Sequence, residues 1–137
     1  MLQVTAGILV ERGKVLACQR LADADHASKW EFPGGKREAG ESLRDCLRRE
    51  LEEELGIEAR IGPEVWRVKH RYPGRKTLEL VFYAIAERHG TIRNRAFATL
   101  RWTPIGGLSR LDFLAADRAV VEALDRGDLV IPETTRR

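Results

Sequence analysis

Gly35-Lys36-Arg37-Glu38-Ala39-Gly40-Glu41-Ser42-Leu43-Arg44-Asp45-Cys46-Leu47-Arg48-Arg49-Glu50-Leu51-Glu52-Glu53-Glu54-Leu55-Gly56-Ile57 is the stretch on which the fold turns. Leu43, Leu47, Leu51 and Leu55 recur every four residues with Cys46 beside them, so 42–55 reads as an amphipathic helix. Ser42 with Asp45 three residues on resembles an N-terminal cap. Gly56 falls where a left-handed C-cap residue ends a helix. On a second face, Glu50, Glu53 and Glu54 stand at i, i+3 and i+4 and project to one side, with Arg49 one turn before Glu53. Like charges so close cost an isolated helix roughly a few tenths of a kcal/mol per pair. Charge pattern alone leaves two readings open. One is an outer face laced with salt bridges. The other is a carboxylate cluster for a hard divalent cation, Mg²⁺ or Mn²⁺.

Working outward, Trp30-Glu31-Phe32-Pro33-Gly34-Gly35 precedes the helix, and Pro33 with the glycine pair is expected to stop regular structure there. Gly34-Gly35 lets the backbone approach a ligand, offering a carbonyl to a metal or an N–H to a phosphate. Lys36 adds positive charge beside it, and Glu41 a fourth carboxylate near the helix start. Upstream, 3–10 and 14–19 are β-rich runs joined by Glu11-Arg12-Gly13, a hairpin signal. Downstream, 58–62 is a short extended piece, and 64–72 and 77–87 read as a second hairpin turning at Tyr72-Pro73-Gly74-Arg75. A further strand is expected over 98–103. A second helix is expected over 118–125, carrying Val120, Val121 and Leu124 inward. The order of elements predicts a mixed α/β (α+β) domain, a mixed sheet with helices on both sides, occupying 1–137 as one unit.

At 137 residues such a domain can bury about two thirds of its unfolded surface. No apolar stretch approaches the roughly 18 residues of a membrane span, and the N-terminus lacks a signal-peptide pattern, so a cytoplasmic protein is expected. Cys18 and Cys46 sit among apolar neighbours without zinc-site spacing and read as buried thiols; a disulfide or a reactive thiol is the alternative. The net charge of +3 favours anionic ligands. Lys69, His70, Arg71, Arg75 and Lys76 crowd one turn, either a solvated hairpin or a rim that attracts phosphates. A long basic stripe with stacking aromatics is not seen, so nucleic acid is not an expected partner.

What decides between the readings of the helix is the full spacing G-x5-E-x7-R-E-U-x-E-E-x-G-U, U being a bulky aliphatic. Gly35, Glu41, Arg49, Glu50, Leu51, Glu53, Glu54, Gly56 and Ile57 fill every position. This is the signature of the Nudix hydrolases. Cys18-Gln19-Arg20 and Lys29-Trp30-Glu31-Phe32-Pro33-Gly34-Gly35-Lys36 resemble the branch containing MutT and the CTP pyrophosphohydrolases, with similarity over roughly 2–127. The resemblance implies a Nudix α/β/α sandwich and a Mg²⁺-dependent enzyme (Mn²⁺ as substitute). That enzyme would hydrolyse a nucleoside triphosphate, oxidised or modified dNTP or CTP/dCTP in type, to NMP and pyrophosphate. It further implies that Glu50, Glu53 and Glu54 are metal ligands with a carbonyl of Gly34 or Gly35, and that Glu50 can deprotonate the attacking water. Arg49 would hold a glutamate in place, Glu41 would support the metal shell, and Lys36 and Arg20 would contact phosphates.

Two positions depart from the MutT pattern. Ala96 stands where such enzymes commonly place a loop glutamate ahead of the last-strand tryptophan, here Trp102. Asp117 stands where MutT has an asparagine and the CTP-hydrolysing relatives an aspartate. Asp117 either reads the base, as an acceptor for an exocyclic amino group, or caps the second helix. Phe32, Trp30, Tyr72 and Phe82 are candidates to stack on a base, Phe32 first because it adjoins the metal loop. Two other functions fit the same motif: hydrolysis of ADP-ribose or nucleotide sugars, for which Pro73 is a weak pointer, and nucleotide binding without cleavage. Monomer and homodimer are both compatible with the sequence.

Overall fold

A computed structural model describes residues 1–137. Strands β1 (Leu2–Ile8), β5 (Gly34–Lys36), β6 (Glu58–His70), β7 (Leu78–His89) and β9 (Thr135–Arg136) form one sheet, ordered β5-β1-β7-β6 with β9 on β7. The β1–β7 and β7–β9 pairs are parallel; the β1–β5 and β6–β7 pairs are antiparallel. Strands β2 (Val10–Glu11), β3 (Lys14–Gln19), β4 (Trp30–Glu31) and β8 (Thr99–Pro104) form a second, antiparallel sheet. The helices are α1 (Leu43–Leu55) and α2 (Arg118–Arg126).

The central strand β7 explains the layering. Its run Leu80-Val81-Phe82-Tyr83-Ala84-Ile85 is buried throughout, so both its faces are covered. Leu80, Phe82 and Ala84 pack with Val120, Val121 and Leu124 of α2, whereas Val81, Tyr83 and Ile85 pack with Leu47, Leu51 and Leu55 of α1. The helices therefore lie on opposite faces, as the sequence predicts. No helix is long and apolar enough to cross a membrane.

Three boundaries differ from the sequence reading. The run over 3–10 divides: β1 ends at Ile8, Leu9 is fully buried, and the chain enters the second sheet at Val10. The hairpin at Glu11-Arg12-Gly13 then joins only β2 and β3. Residues 58–70 form one strand interrupted by bulges around Gly62-Pro63, where proline cannot complete a ladder. Arg44 of α1 donates to the Ile61 and Gly62 carbonyls at 3.0 and 2.8 Å. Finally, Pro33-Gly34-Gly35 does not end regular structure, because Gly34–Lys36 pair with Ala6–Val4. Glycine permits that pairing: at Gly34 (φ +151°) an added Cβ would lie 2.0 Å from the Thr5 carbonyl oxygen.

Candidate active site

Ser42 and Gly56 fix where α1 begins and ends. The Ser42 hydroxyl accepts the Asp45 N–H at 3.1 Å, and Gly56 (φ 68°) donates to the Glu52 carbonyl at 2.9 Å. With the leucine stripe sunk into the core, Glu50, Glu53 and Glu54 are set on the side facing β5 and the solvent. Glu54 lies deepest and accepts the Gly34 N–H at 2.9 Å. Burial foremost, with Glu50, Glu31 and Glu53 adding repulsion, pushes its carboxyl up to about 8 against the opposing Gly34 bond. Glu50 is raised too, by burial more than Arg49 lowers it. Its carboxyl rests over Gly35, where an added Cβ would stand 2.4 Å from the carboxyl carbon. Glu53 is more than half exposed and touches Arg49 at 3.3 Å.

Arg49 is the hub of this face. It donates to both oxygens of Glu41 (2.7 and 3.1 Å), to Glu50 at 2.9 Å and to the Lys36 carbonyl at 3.2 Å. The Arg49 guanidinium, helped by the Glu38 N–H, holds the Glu41 carboxyl down at about 2. Arg49 thus ties the strand carrying Gly35 and Lys36 to the helix carrying Glu50 and Glu53. The Gly35 carbonyl accepts from Thr5 Oγ1 at 3.3 Å and from Cys46 Sγ at 3.5 Å. Cys46 and Cys18 are both free and buried.

No three His, Cys, Asp or Glu side chains converge as a ready-made ligand set. Glu53 is turned to Arg49 and Glu54 to Gly34. The donor chemistry nevertheless fits a hard divalent cation, because two partly buried carboxyls lie close enough to repel each other, with Arg49 as the cationic partner of Glu50. Charge brought in beside them would restore their ionised forms.

A cavity of about 220 Å³ opens beside this face. Two groups line it: Gly34, Gly35, Lys36 and Glu54, tied by the Gly34–Glu54 bond, and Phe32, Tyr72, Ala116 and Asp117, tied by the Tyr72–Ala116 and Phe32–Asp117 bonds. Arg20 and Glu31 also reach it, joined by an ion pair of 3.0 Å. Arg20 further donates to the Asp25 carbonyl at 2.7 Å. Of the aromatic candidates, Phe32 and Tyr72 face the cavity; Phe32 is almost wholly buried and packs edge-on against Phe82 and, tilted, on Phe113. Phe82 belongs to the core, and Trp30 lies under Arg101, so neither lines it.

Asp117 precedes α2 but makes no capping hydrogen bond with its side chain. Its carboxyl is turned to the cavity, where burial first and Glu31 second push it well above the usual range, against the Phe32 N–H. A protonated carboxyl both donates and accepts, as an amide does. The loop containing Ala96 packs at the C-terminal end of α1: the Arg93 and Arg95 N–H groups donate to the Leu55 and Glu54 carbonyls at 2.9 and 3.0 Å. Pro73 is in the exposed turn whose Arg75 N–H returns to the Tyr72 carbonyl at 3.0 Å. Sequence reasoning passed over Glu31 as a cavity residue. Its signal was a lone acid between two aromatics in Trp30-Glu31-Phe32.

The NUDIX domain model matches residues 1–124. The chain belongs to the Nudix family. It is 38% identical over 123 residues to the CTP pyrophosphohydrolase of Escherichia coli (strain K12), covering 90% of each. It is 36% identical over 125 residues to the 8-oxo-dGTP diphosphatase of Haemophilus influenzae, covering 90% of this chain and 91% of that one. The solution structure of the E. coli ORF135 protein matches with a TM-score of 0.80 at 38% identity, over 90% of this chain and 87% of the other. The MutT protein from Methanosarcina mazei Go1 gives 0.82 at 22% identity, over 93% and 94%, a likeness of fold. In this chain α1 is the Nudix helix, and the cavity lies at its acidic face.

Proposed function

We propose that the chain is a Nudix pyrophosphohydrolase that converts nucleoside triphosphates to the monophosphate and pyrophosphate, acting on the nucleotide pool. The observation that carries this reading is one cavity lined by two chemically different groups. Acidic side chains, a glycine loop and Lys36 suit a metal-bound diphosphate. Phe32, Tyr72 and the buried Asp117 suit a flat, hydrogen-bonding base. Similarity to a CTP pyrophosphohydrolase and to 8-oxo-dGTP diphosphatases points the same way.

In this reading Glu50, Glu53 and Glu54, with the Gly35 carbonyl, hold Mg²⁺ (Mn²⁺ as substitute). When bound, the cation supplies positive charge that offsets the charge developing on phosphoryl oxygens. Glu50, partly buried and already raised above the usual carboxylate range, takes the proton of the attacking water. Arg49 keeps Glu50 over Gly35, and Lys36 together with Arg20 contacts the phosphates. Asp117 reads the base. All of 1–137 acts as one domain, since both hydrophobic clusters share β7.

The test is product analysis. The protein is incubated with Mg²⁺ and NTPs, oxidised and methylated dNTPs, ADP-ribose and dinucleoside polyphosphates. Pyrophosphate and a nucleoside monophosphate from a triphosphate is the expected outcome. Turnover of ADP-ribose alone, or none of any substrate, would overturn the reading.

A further inference from the structure

Tyr72 touches three parts of the molecule that are far apart in sequence. It follows β6, its hydroxyl oxygen accepts the Ala116 N–H at 3.1 Å, and its ring lies between His26 and His70 at centroid distances of 4.5 and 4.4 Å. Ala116 immediately precedes Asp117 in a single 3₁₀ turn, Ala115–Asp117. That turn is held on its other side through β4: the Leu114 N–H donates to the Trp30 carbonyl at 2.9 Å, and the Asp117 N–H to the Leu114 carbonyl at 2.9 Å. The Asp117 side chain makes no capping bond; its carboxyl is met by the Phe32 N–H, and the backbone anchors set where the turn presents that carboxyl to the cavity.

We propose that Tyr72 is a specificity-determining residue: its hydroxyl fixes the turn that aims Asp117, and its own proton is offered to the base beside it. The inference rests on Asp117 reading the base. Tyr72 lines the same cavity as Asp117, and no protein acceptor is within hydrogen-bond reach of its O–H. Burial raises the phenol above its usual range, so the hydroxyl keeps that proton at any working pH. A donor from Tyr72 next to a carboxyl from Asp117 matches a base edge with an exocyclic amino group adjacent to a ring-nitrogen acceptor, as on cytosine. The ring is backed by His26, on the 21–29 loop that Asp25 pins to Arg75 at 2.9 Å.

The experiment compares wild type, Tyr72→Phe, Asp117→Leu and the double variant on dCTP, dUTP and base-free deoxyribose 5′-triphosphate. Tyr72→Phe keeps the ring and removes only the hydroxyl. It is expected to lower kcat/KM for dCTP about fivefold, the effect of one hydrogen bond, chiefly through KM. Turnover of the base-free triphosphate is expected to stay unchanged, and the double variant is expected to lose less than the product of the single losses. Equal losses on dCTP and on the base-free substrate would show a merely structural residue and overturn the proposal; so would no loss on dCTP. If Asp117→Leu, which keeps the size but can neither donate nor accept, leaves the dCTP-to-dUTP ratio untouched, the base-reading role of Asp117 fails. If that ratio moves in Asp117→Leu but not in Tyr72→Phe, the role of Tyr72 alone fails.

Discussion

Gly34 and Gly35 are neighbours, yet a methyl group on each would meet a different obstacle. At Gly34 it would strike the Thr5 carbonyl and the Ala6 Cα, both backbone atoms of the adjoining strand that cannot step aside. At Gly35 the nearest atoms it would strike are those of the Glu50 carboxyl, the free end of a flexible side chain. Gly34→Ala should therefore lower stability by about 3 kcal/mol or more. Gly35→Ala should unfold close to wild type while losing activity, because Glu50 is displaced from its place over the loop. Urea melts beside turnover assays separate the two, and a Gly35→Ala protein of normal activity would contradict the role given to Glu50. Glu53 makes a cleaner functional probe still. It is more than half exposed with Arg49 as its one side-chain partner, so Glu53→Gln should change stability by less than about 0.5 kcal/mol. Its turnover should fall roughly 10²-fold or more if it holds the cation.

At the level of elements, α1 is the part the sequence fixes most tightly, since stripe, cap and C-cap glycine agree. Its start rests on a single side chain: Ser42→Ala should cost about 1 kcal/mol, read as a lower urea midpoint with an unchanged slope. Other elements were less legible for physical reasons. The break at Leu9 has no local signal, because a residue buried in a crossing between two sheets is as apolar as one within a strand. The three-residue strand at Gly34–Lys36 exists only through its pairing with β1, and turn-forming composition there pointed the other way. The bulge at Gly62-Pro63 could be read as a strand break, whereas the facing strand and Arg44 carry the sheet across it. The site divides in the same manner. The carboxylate face of the helix was readable from spacing, Phe32 from its place beside the glycine loop, and Lys36 and Asp117 from similarity. Glu31 at the cavity and the Tyr72–Ala116 bond arise from contacts between distant segments, and local sequence does not encode them.

The whole molecule sets the electrostatic cost of this arrangement. Packing α1 against β7 on one side and α2 on the other leaves Glu54 between the Nudix helix and β5, where its carboxyl rises to about 8 from the unperturbed 4.5. Without a divalent cation, the native chain then keeps a proton on Glu54 that the unfolded chain has already released. Between pH 4.5 and 8 Glu54 binds more protons in the folded state than in the unfolded one, so its contribution to stability is full below 4.5 and declines as pH rises toward 8. Glu50 shifts in the same direction and adds to the slope. In EDTA the melting temperature should fall from pH 5 to pH 8, and Glu54→Gln should flatten that fall. Mg²⁺ held by ionised carboxylates reverses the preference, so saturating Mg²⁺ should stabilise the protein more at pH 8 than at pH 5. At pH 7, below the Glu54 midpoint, binding should release close to one proton, measurable by calorimetry in buffers of different ionisation enthalpy. A melting temperature independent of pH in EDTA, together with Mg²⁺ binding that releases no proton, would mean that Glu54 is already ionised in the folded chain and that burial does not hold its proton.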